Sequence, residues 1–223
     1  MTTKVAVIVG SLRKASVNRL FAQALAKVAR PKLDLQIVEI GDLPLYDQDL
    51  EGELPATVQR FKQQVESADA VLFVTPEFNR TFSAAIKNAI EWGSRPWGKN
   101  SWAGKPAAIV GATLGAVGTA AAQSQLRSVV SAVGAALTVQ PEVYLNYREG
   151  LIVDGEITDA SFVGLLEDWA SKFADWIARL RQTRSRASSA RRSPGSSFRW
   201  SCRWSGKSSR ATSSTRRRSG PTT

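Results

Sequence analysis

Residues 5–19, Val5-Ala6-Val7-Ile8-Val9-Gly10-Ser11-Leu12-Arg13-Lys14-Ala15-Ser16-Val17-Asn18-Arg19, decide the fold. Val5 to Val9 form a short, unbroken apolar run rich in β-branched residues, the pattern of a strand covered on both faces in a parallel sheet. Gly10 closes the run, a polar loop follows, and Ser16 is placed to cap a helix. Val17, Leu20, Phe21, Ala24, Leu25 and Val28 then fall on one helical stripe, which Pro31 terminates. Strand, loop and helix in that order are one βα unit.

The same alternation continues outward. Leu33 to Ile40 reads as a second strand, and GDLPLYDQDLEGELP (residues 41–55) as a long loop. Val58, Phe61, Val65 and Ala68 mark a helix, and Ala70 to Val74 a third strand. A loop then enters a helix with Phe82, Ala85, Ile86, Ala89 and Ile90 on one side. Pro106 to Val110, the Ala-rich stretch Thr119 to Val133, and Ala136 to Val139 with Val143 to Leu145 extend the series. The last helix carries Phe162, Leu165, Leu166, Trp169, Phe173, Trp176, Ile177 and Leu180, with Thr158 or Asp159 as its cap. Five such units predict one α/β domain over residues 1–180: a three-layer sandwich whose five-stranded parallel sheet carries helices on both faces.

The chain has 223 residues and a formal charge of +11. Residues 181–223 hold 12 Lys and Arg and no Asp or Glu, leaving 18 basic against 19 acidic side chains in the body. The body is near neutral, so its charge does not argue for a polyanionic partner. Residues 181–223 also lack Leu, Ile and Val. That composition predicts a disordered or non-native extension, because too little apolar surface is available to offset chain entropy. Phe198, Trp200 and Trp204 interleave with Arg199, Arg203 and Lys207 as in a base-stacking arm. The abrupt change of residue vocabulary after the last helix argues against it, and nucleic acid is not expected as a partner.

Histidine is absent and the one cysteine is Cys202. Ser-His-Asp and Cys-His nucleophiles are thereby excluded, no intramolecular disulfide forms, and most transition-metal sites lose their ligands, so no metal is expected. No charged leader precedes an apolar stretch, and no apolar run approaches roughly 18 residues. A cytoplasmic protein without a membrane span is expected. Redox chemistry, if present, comes from a bound cofactor.

Gly10 to Asn18 join a strand end to a helix start, where unpaired N–H groups and the positive dipole end favour an anion. The hydroxyls of Ser11 and Ser16, the amide of Asn18, the cation of Arg13 and the helix start at Val17 are donors suited to a terminal phosphate. Neither GxGxxG nor GxxxxGK[ST] is present, so a mononucleotide phosphate held by side-chain hydroxyls remains. Strand order 2-1-3-4-5 brings the loop after the third strand, Thr75-Pro76-Glu77-Phe78-Asn79-Arg80, beside the first. Pro76 stiffens it, Phe78 suits a flat ring, and Asn79 with backbone N–H groups addresses that ring's edge. Together the loops fit the two ends of flavin mononucleotide (FMN).

GSLRKASVN, TPEFN, KNAIEW, SRPWGKNSWAGKP and PLYDQDL resemble the NAD(P)H-dependent FMN reductases, in their chromate and quinone reductase branch. The resemblance spans roughly residues 4–180. It implies a flavodoxin-like fold, non-covalent FMN with its phosphate at Ser11 to Asn18 and its ring along Pro76, Glu77, Phe78 and Asn79, and homodimers that often pair into tetramers. Phe78 stands where the family usually has tyrosine, and Ser83-Ala84 where it has Pro-Gly. Ala112 and Thr119 replace a usual serine and glycine. The implied cycle is ping-pong: NADPH or NADH delivers hydride to the flavin, and a quinone, chromate or another metal oxyanion removes the electrons. Arg80 and Arg95 are the candidate cations for anionic substrates. A flavodoxin-like electron carrier, without NAD(P)H reductase activity, is the alternative, although such carriers are strongly acidic and this body is not.

Overall fold

The computed structural model describes residues 2–138 and 140–192. Its elements run β1 (Thr3–Val9), α1 (Val17–Ala29), β2 (Leu33–Val38), α2 (Ala56–Ser67), β3 (Ala70–Thr75), α3 (Ala84–Ser94), β4 (Pro106–Thr113), α4 (Ala120–Ala132), β5 (Ala136–Leu137), β6 (Tyr144–Asn146), β7 (Ile152–Val153), β8 (Glu156–Ile157) and α5 (Ala160–Arg192). The main sheet is parallel in the order β2-β1-β3-β4-β5, as expected from the alternation.

Alternate residues of each central strand feed opposite cores, which is why the strands read as continuous apolar runs. Val5, Val7, Val9, Leu72 and Val74 pack with Phe21, Leu25, Trp169 and Phe173 of α1 and α5. Ala6, Ile8, Val71 and Phe73 pack with Phe61, Trp92, Leu126 and Trp102 on the face of α2, α3 and α4. The fifth strand position is occupied in two pieces. β5 pairs with the start of β4 and β6 with its end, both in parallel. Pro141, which has no N–H to offer a ladder, lies between them.

Two features lie outside the expectations above. β7 and β8 form a hairpin closed by Asp154 and Gly155, whose φ angles of 52° and 75° suit the left-handed two-residue turn that Asp-Gly favours. α5 also continues past Leu180 to Arg192. Arg181 pairs with Asp69, and Arg184 Nη2 donates to the carbonyl oxygens of Gly104 (2.5 Å) and Ala103 (3.4 Å). The expectations for Cys202 and for the aromatic and arginine run fall outside the described residues. Among the described residues no helix is long and apolar enough to cross a membrane, and no group of three or more His, Cys, Asp or Glu gathers to hold a metal.

α5 starts at a cap with a pH signature. The Asp159 carboxylate accepts from Ser161 N (2.9 Å), Phe162 N (3.1 Å) and Ser161 Oγ (2.6 Å). These bonds, that from the Ser161 side chain foremost, hold its pKa below the ordinary 3.8. A carboxyl depressed on folding stabilises the fold above the unfolded pKa and loses that contribution as pH falls through the folded one. Acid titrations followed by circular dichroism should therefore show Asp159→Ala flattening this part of the wild-type stability loss below pH 3.8.

Candidate active site

The loops after β1, β3 and β4 meet at the carboxyl edge of the sheet, where ligands of doubly wound folds bind. Two glycines bring them together. A Cβ at Gly10 would lie 2.6 Å from Ser83 Oγ and 2.5 Å from Ile86 Cδ1, so the start of α3 rests directly on the end of β1. A Cβ at Gly111 would lie 2.3 Å from the Thr75 carbonyl oxygen and 2.4 Å from Thr119 Oγ1, which closes β3, β4 and the start of α4 onto one another. Backbone cannot give way as a flexible side chain does, so Gly111→Ala is expected to cost about 1–3 kcal/mol. Urea denaturation measures that cost.

At the first loop, Ser16 caps α1, its Oγ accepting from Arg19 N at 3.1 Å. The next two donors of the first turn, Val17 N and Asn18 N, have no acceptor among the described residues and face the loop that carries Ser11 and Arg13. Arg13 is exposed and has no ion-pair partner among the described residues. The Asn18 side chain does something else. Its Nδ2 donates to Ala112 O (2.8 Å) and its Oδ1 accepts from Ala112 N (2.9 Å), tying α1 to β4. That tie uses one of the two Nδ2 hydrogens, so the other, together with the main-chain N–H of Asn18, stays available to the loop.

The second loop is a small hairpin. Phe78 and Thr81 exchange both main-chain hydrogen bonds, at 3.0 and 2.9 Å, around Asn79 and Arg80 with φ of 50° and 65°. Asparagine accepts that conformation readily, whereas arginine is held in it. Gln125 of α4 supplies the hold, donating to Arg80 O and accepting from Thr81 Oγ1, both at 2.7 Å. Pro76 is buried, and the side chain of Phe78 stands 55% exposed. Glu77 turns inward, its carboxylate accepting from Ala122 N at the start of α4 (3.2 Å) and pairing with Arg80 (3.3 Å). α3 takes its cap from Ser83.

Thr119 and Asn146 shape the remaining wall. Thr119, fully buried with φ of 75°, begins α4 and accepts from Gln123 Nε2 at 2.9 Å. Asn146 of β6 donates to the carbonyl oxygens of Leu114 and Gly115, fixing the β4–α4 loop. That loop exposes Leu114 and Val117. Arg95 is not brought to this edge. It lies at the far end of α3, roughly 16 Å of helix from the loop side. There its guanidinium stands 5.8 Å over the Tyr46 ring and 4.0 Å from Glu51. The hydrogen bond from Tyr46 to Glu51 (2.6 Å) raises the phenol's pKa.

Unpartnered N–H donors at the start of α1 beside an exposed aromatic turn, at the switch point of a doubly wound sheet, suit a mononucleotide-binding α/β protein. The donors fit the phosphate of FMN, and the apolar side chains of the second and third loops fit its ring. Comparison with known proteins makes the assignment specific. Residues 3–150 match the family model described as NADPH-dependent FMN reductase. A 2-hydroxy-1,4-benzoquinone reductase of Burkholderia sp is 44% identical over 178 residues, covering 79% of this chain and 97% of that protein. A quinone reductase of Pseudomonas putida is 45% identical over 175 residues, 78% of this chain and 94% of its own. The solved structure of FerB, a flavoenzyme NAD(P)H:(acceptor) oxidoreductase from Paracoccus denitrificans, superposes with a TM-score of 0.78 at 41% identity, over 80% of this chain and 98% of its own. This chain belongs to the NADPH-dependent FMN reductase family and has its flavodoxin-like fold.

Proposed function

We propose that this protein is an FMN-dependent NAD(P)H:quinone oxidoreductase. The observation that carries the reading is the pairing of two unpartnered N–H donors at the start of α1 with the exposed Phe78 hairpin, in a chain of this family. Bound FMN would accept hydride from a nicotinamide and pass two electrons to a quinone. Ser11, Arg13, Ser16 and the N–H groups of Val17 and Asn18 hold the phosphate. Pro76 and Glu77 set the hairpin, Phe78 lies along the ring, and the N–H groups of Asn79 and Arg80, unpartnered among the described residues, face the ring edge. Donor and acceptor take turns on the open face, which is the origin of ping-pong kinetics.

Anionic acceptors such as chromate are drawn by Arg80. The second candidate cation, Arg95, reaches an active site only across a dimer. Leu45, next in the chain to the Tyr46 that Arg95 covers, and Trp97, two positions after Arg95, are 82% and 88% exposed and offer the apolar surface for self-association to a dimer or tetramer. We place the enzyme in the cytoplasm on its lone cysteine and its reduced nicotinamide donors.

The test is anaerobic titration of the FMN-loaded protein with NADH and NADPH. Loss of the oxidised flavin absorbance, restored by one equivalent of benzoquinone, is expected. An absorbance that neither donor changes would assign the protein to the electron carriers instead.

A further inference from the structure

A cavity of about 510 Å³ opens at the amino edge of the main sheet, between the end of α2, the loop joining α3 to β4, and α5. The length of β4, roughly 25 Å, separates it from the crevice at the other edge. Lys62, Lys99, Lys105 and Arg184 line it against one carboxylate, that of Glu66. Two of these cations are committed. Lys62, 7% exposed, donates from Nζ to Gly93 O, Lys99 O and Ser101 Oγ at 3.3, 2.9 and 2.8 Å. Lys105 Nζ donates to Val65 O and Ala68 O, both at 2.8 Å, and to Glu66 O at 3.4 Å. Each ammonium spends its three hydrogens in this way, so both lysines bring charge to the cavity without a free donor.

The other two cations keep donors to spare. Lys99 is exposed, and its ammonium has no hydrogen-bond or ion-pair partner among the described residues. Arg184 uses only Nη2, on the carbonyls of Ala103 and Gly104, which leaves the hydrogens on Nε and Nη1. The main-chain N–H groups of Gly98 and Asn100, both lining residues, have no acceptor among the described residues. The cations also press on one another. Burial holds the pKa of Lys62 and Lys105 below the ordinary 10.5, and Glu66 opposes the shift at both. The like charge of Lys99 adds to it at Lys62, and that of Arg184 at Lys105. An excess of three positive charges therefore surrounds one cavity, with unused donors on opposite walls.

We propose that this cavity binds a small polyanion of the phosphate class, about the size of pyrophosphate, at a site separate from the flavin's. Its volume lies within the range of small-ligand clefts. Arg184 takes one phosphoryl group with the donors it has left, and Lys99 with the loop N–H groups takes the other. Lys62 and Lys105 supply the positive field behind them. A ligand held from both sides ties α5 to the loop that precedes β4, and stabilises the folded chain by mass action without touching flavin or quinone.

Pyrophosphate is the probe, titrated calorimetrically into the full chain saturated with FMN, with sodium chloride at matched ionic strength as the blank. One binding event is expected, with the flavin spectrum unchanged and a melting temperature that rises with pyrophosphate and not with the salt. Lys99→Gln, at an exposed side chain with no partner to lose, should weaken binding about tenfold or more, the size of a lost charge-assisted bond. Its melting temperature without pyrophosphate and its NADH turnover should stay at wild-type values. Glu66→Gln removes the carboxylate and keeps an acceptor for Ser101 Oγ, so it should tighten binding. Pyrophosphate held elsewhere on this basic chain would be indifferent to both substitutions. Unchanged affinity in Lys99→Gln, no binding beyond the blank, or displacement of FMN by pyrophosphate each overturns the inference, and none of them touches the reductase reading.

Discussion

Asn18→Ala should lower the stability of the domain by roughly 2–4 kcal/mol and release the flavin. The side chain is 4% exposed and satisfies both the N–H and the C=O of Ala112. Truncation leaves two buried main-chain groups without partners, each costing on the order of 1–3 kcal/mol. Ala112 is inside β4 and Asn18 is on the first turn of α1, so the loss falls on the joint that holds Val17 N and Asn18 N at the proposed phosphate site. Guanidinium denaturation gives the stability change, and flavin retained through gel filtration gives the second. Asn18→Asp keeps the acceptor and loses the donor, so it should fall between alanine and wild type. If Asn18→Ala kept wild-type stability, the tie to Ala112 would be wrong.

Trp102→Ala has the larger cost and the opposite functional outcome. Trp102 is fully buried, donates from Nε1 to Ile90 O at 2.9 Å, and contacts the rings of Phe61 and Phe73 at centroid distances of 6.0 and 5.7 Å. It also covers Gly93, where a Cβ would lie 2.3 Å from the indole. Removing an indole from such a place costs about 3–5 kcal/mol through lost burial and the cavity left behind. Trp102 precedes β4, at the edge of the sheet opposite the crevice. The variant should therefore melt well below wild type yet bind FMN with unchanged affinity while folded. Calorimetric melting alongside a flavin titration at low temperature separates the two quantities.

The fold was legible because both faces of each central strand are buried. That condition writes itself as runs such as Val5 to Val9 and Ala70 to Val74, and the helices between them carry apolar stripes. The two loops were legible by topology, since order 2-1-3-4-5 makes the first and third carboxyl ends neighbours. The internal wiring was not. Asn18 and Ala112 are 94 positions apart, and no local pattern records the tie between them. Gln125 and Asn146 act through main-chain carbonyls, which any side-chain amide can reach. Arg95 follows the right helix but lies at its wrong end, a matter of helix length. The Asp154-Gly155 turn did carry a signal, a dipeptide suited to a tight hairpin, in a stretch that also resembles an ordinary linker.

The clasp formed by Arg181 and Arg184 has a practical consequence for shortening this protein. A cut placed after Leu180, where the apolar stripe of α5 ends, would strip Asp69 of its cation and free the Ala103–Gly104 carbonyls at the entry to β4. A cut placed after Arg186 spares both anchors and still removes nine of the twelve cations that set the chain's isoelectric behaviour. Of the two trimmed proteins, the longer should be the more heat-resistant.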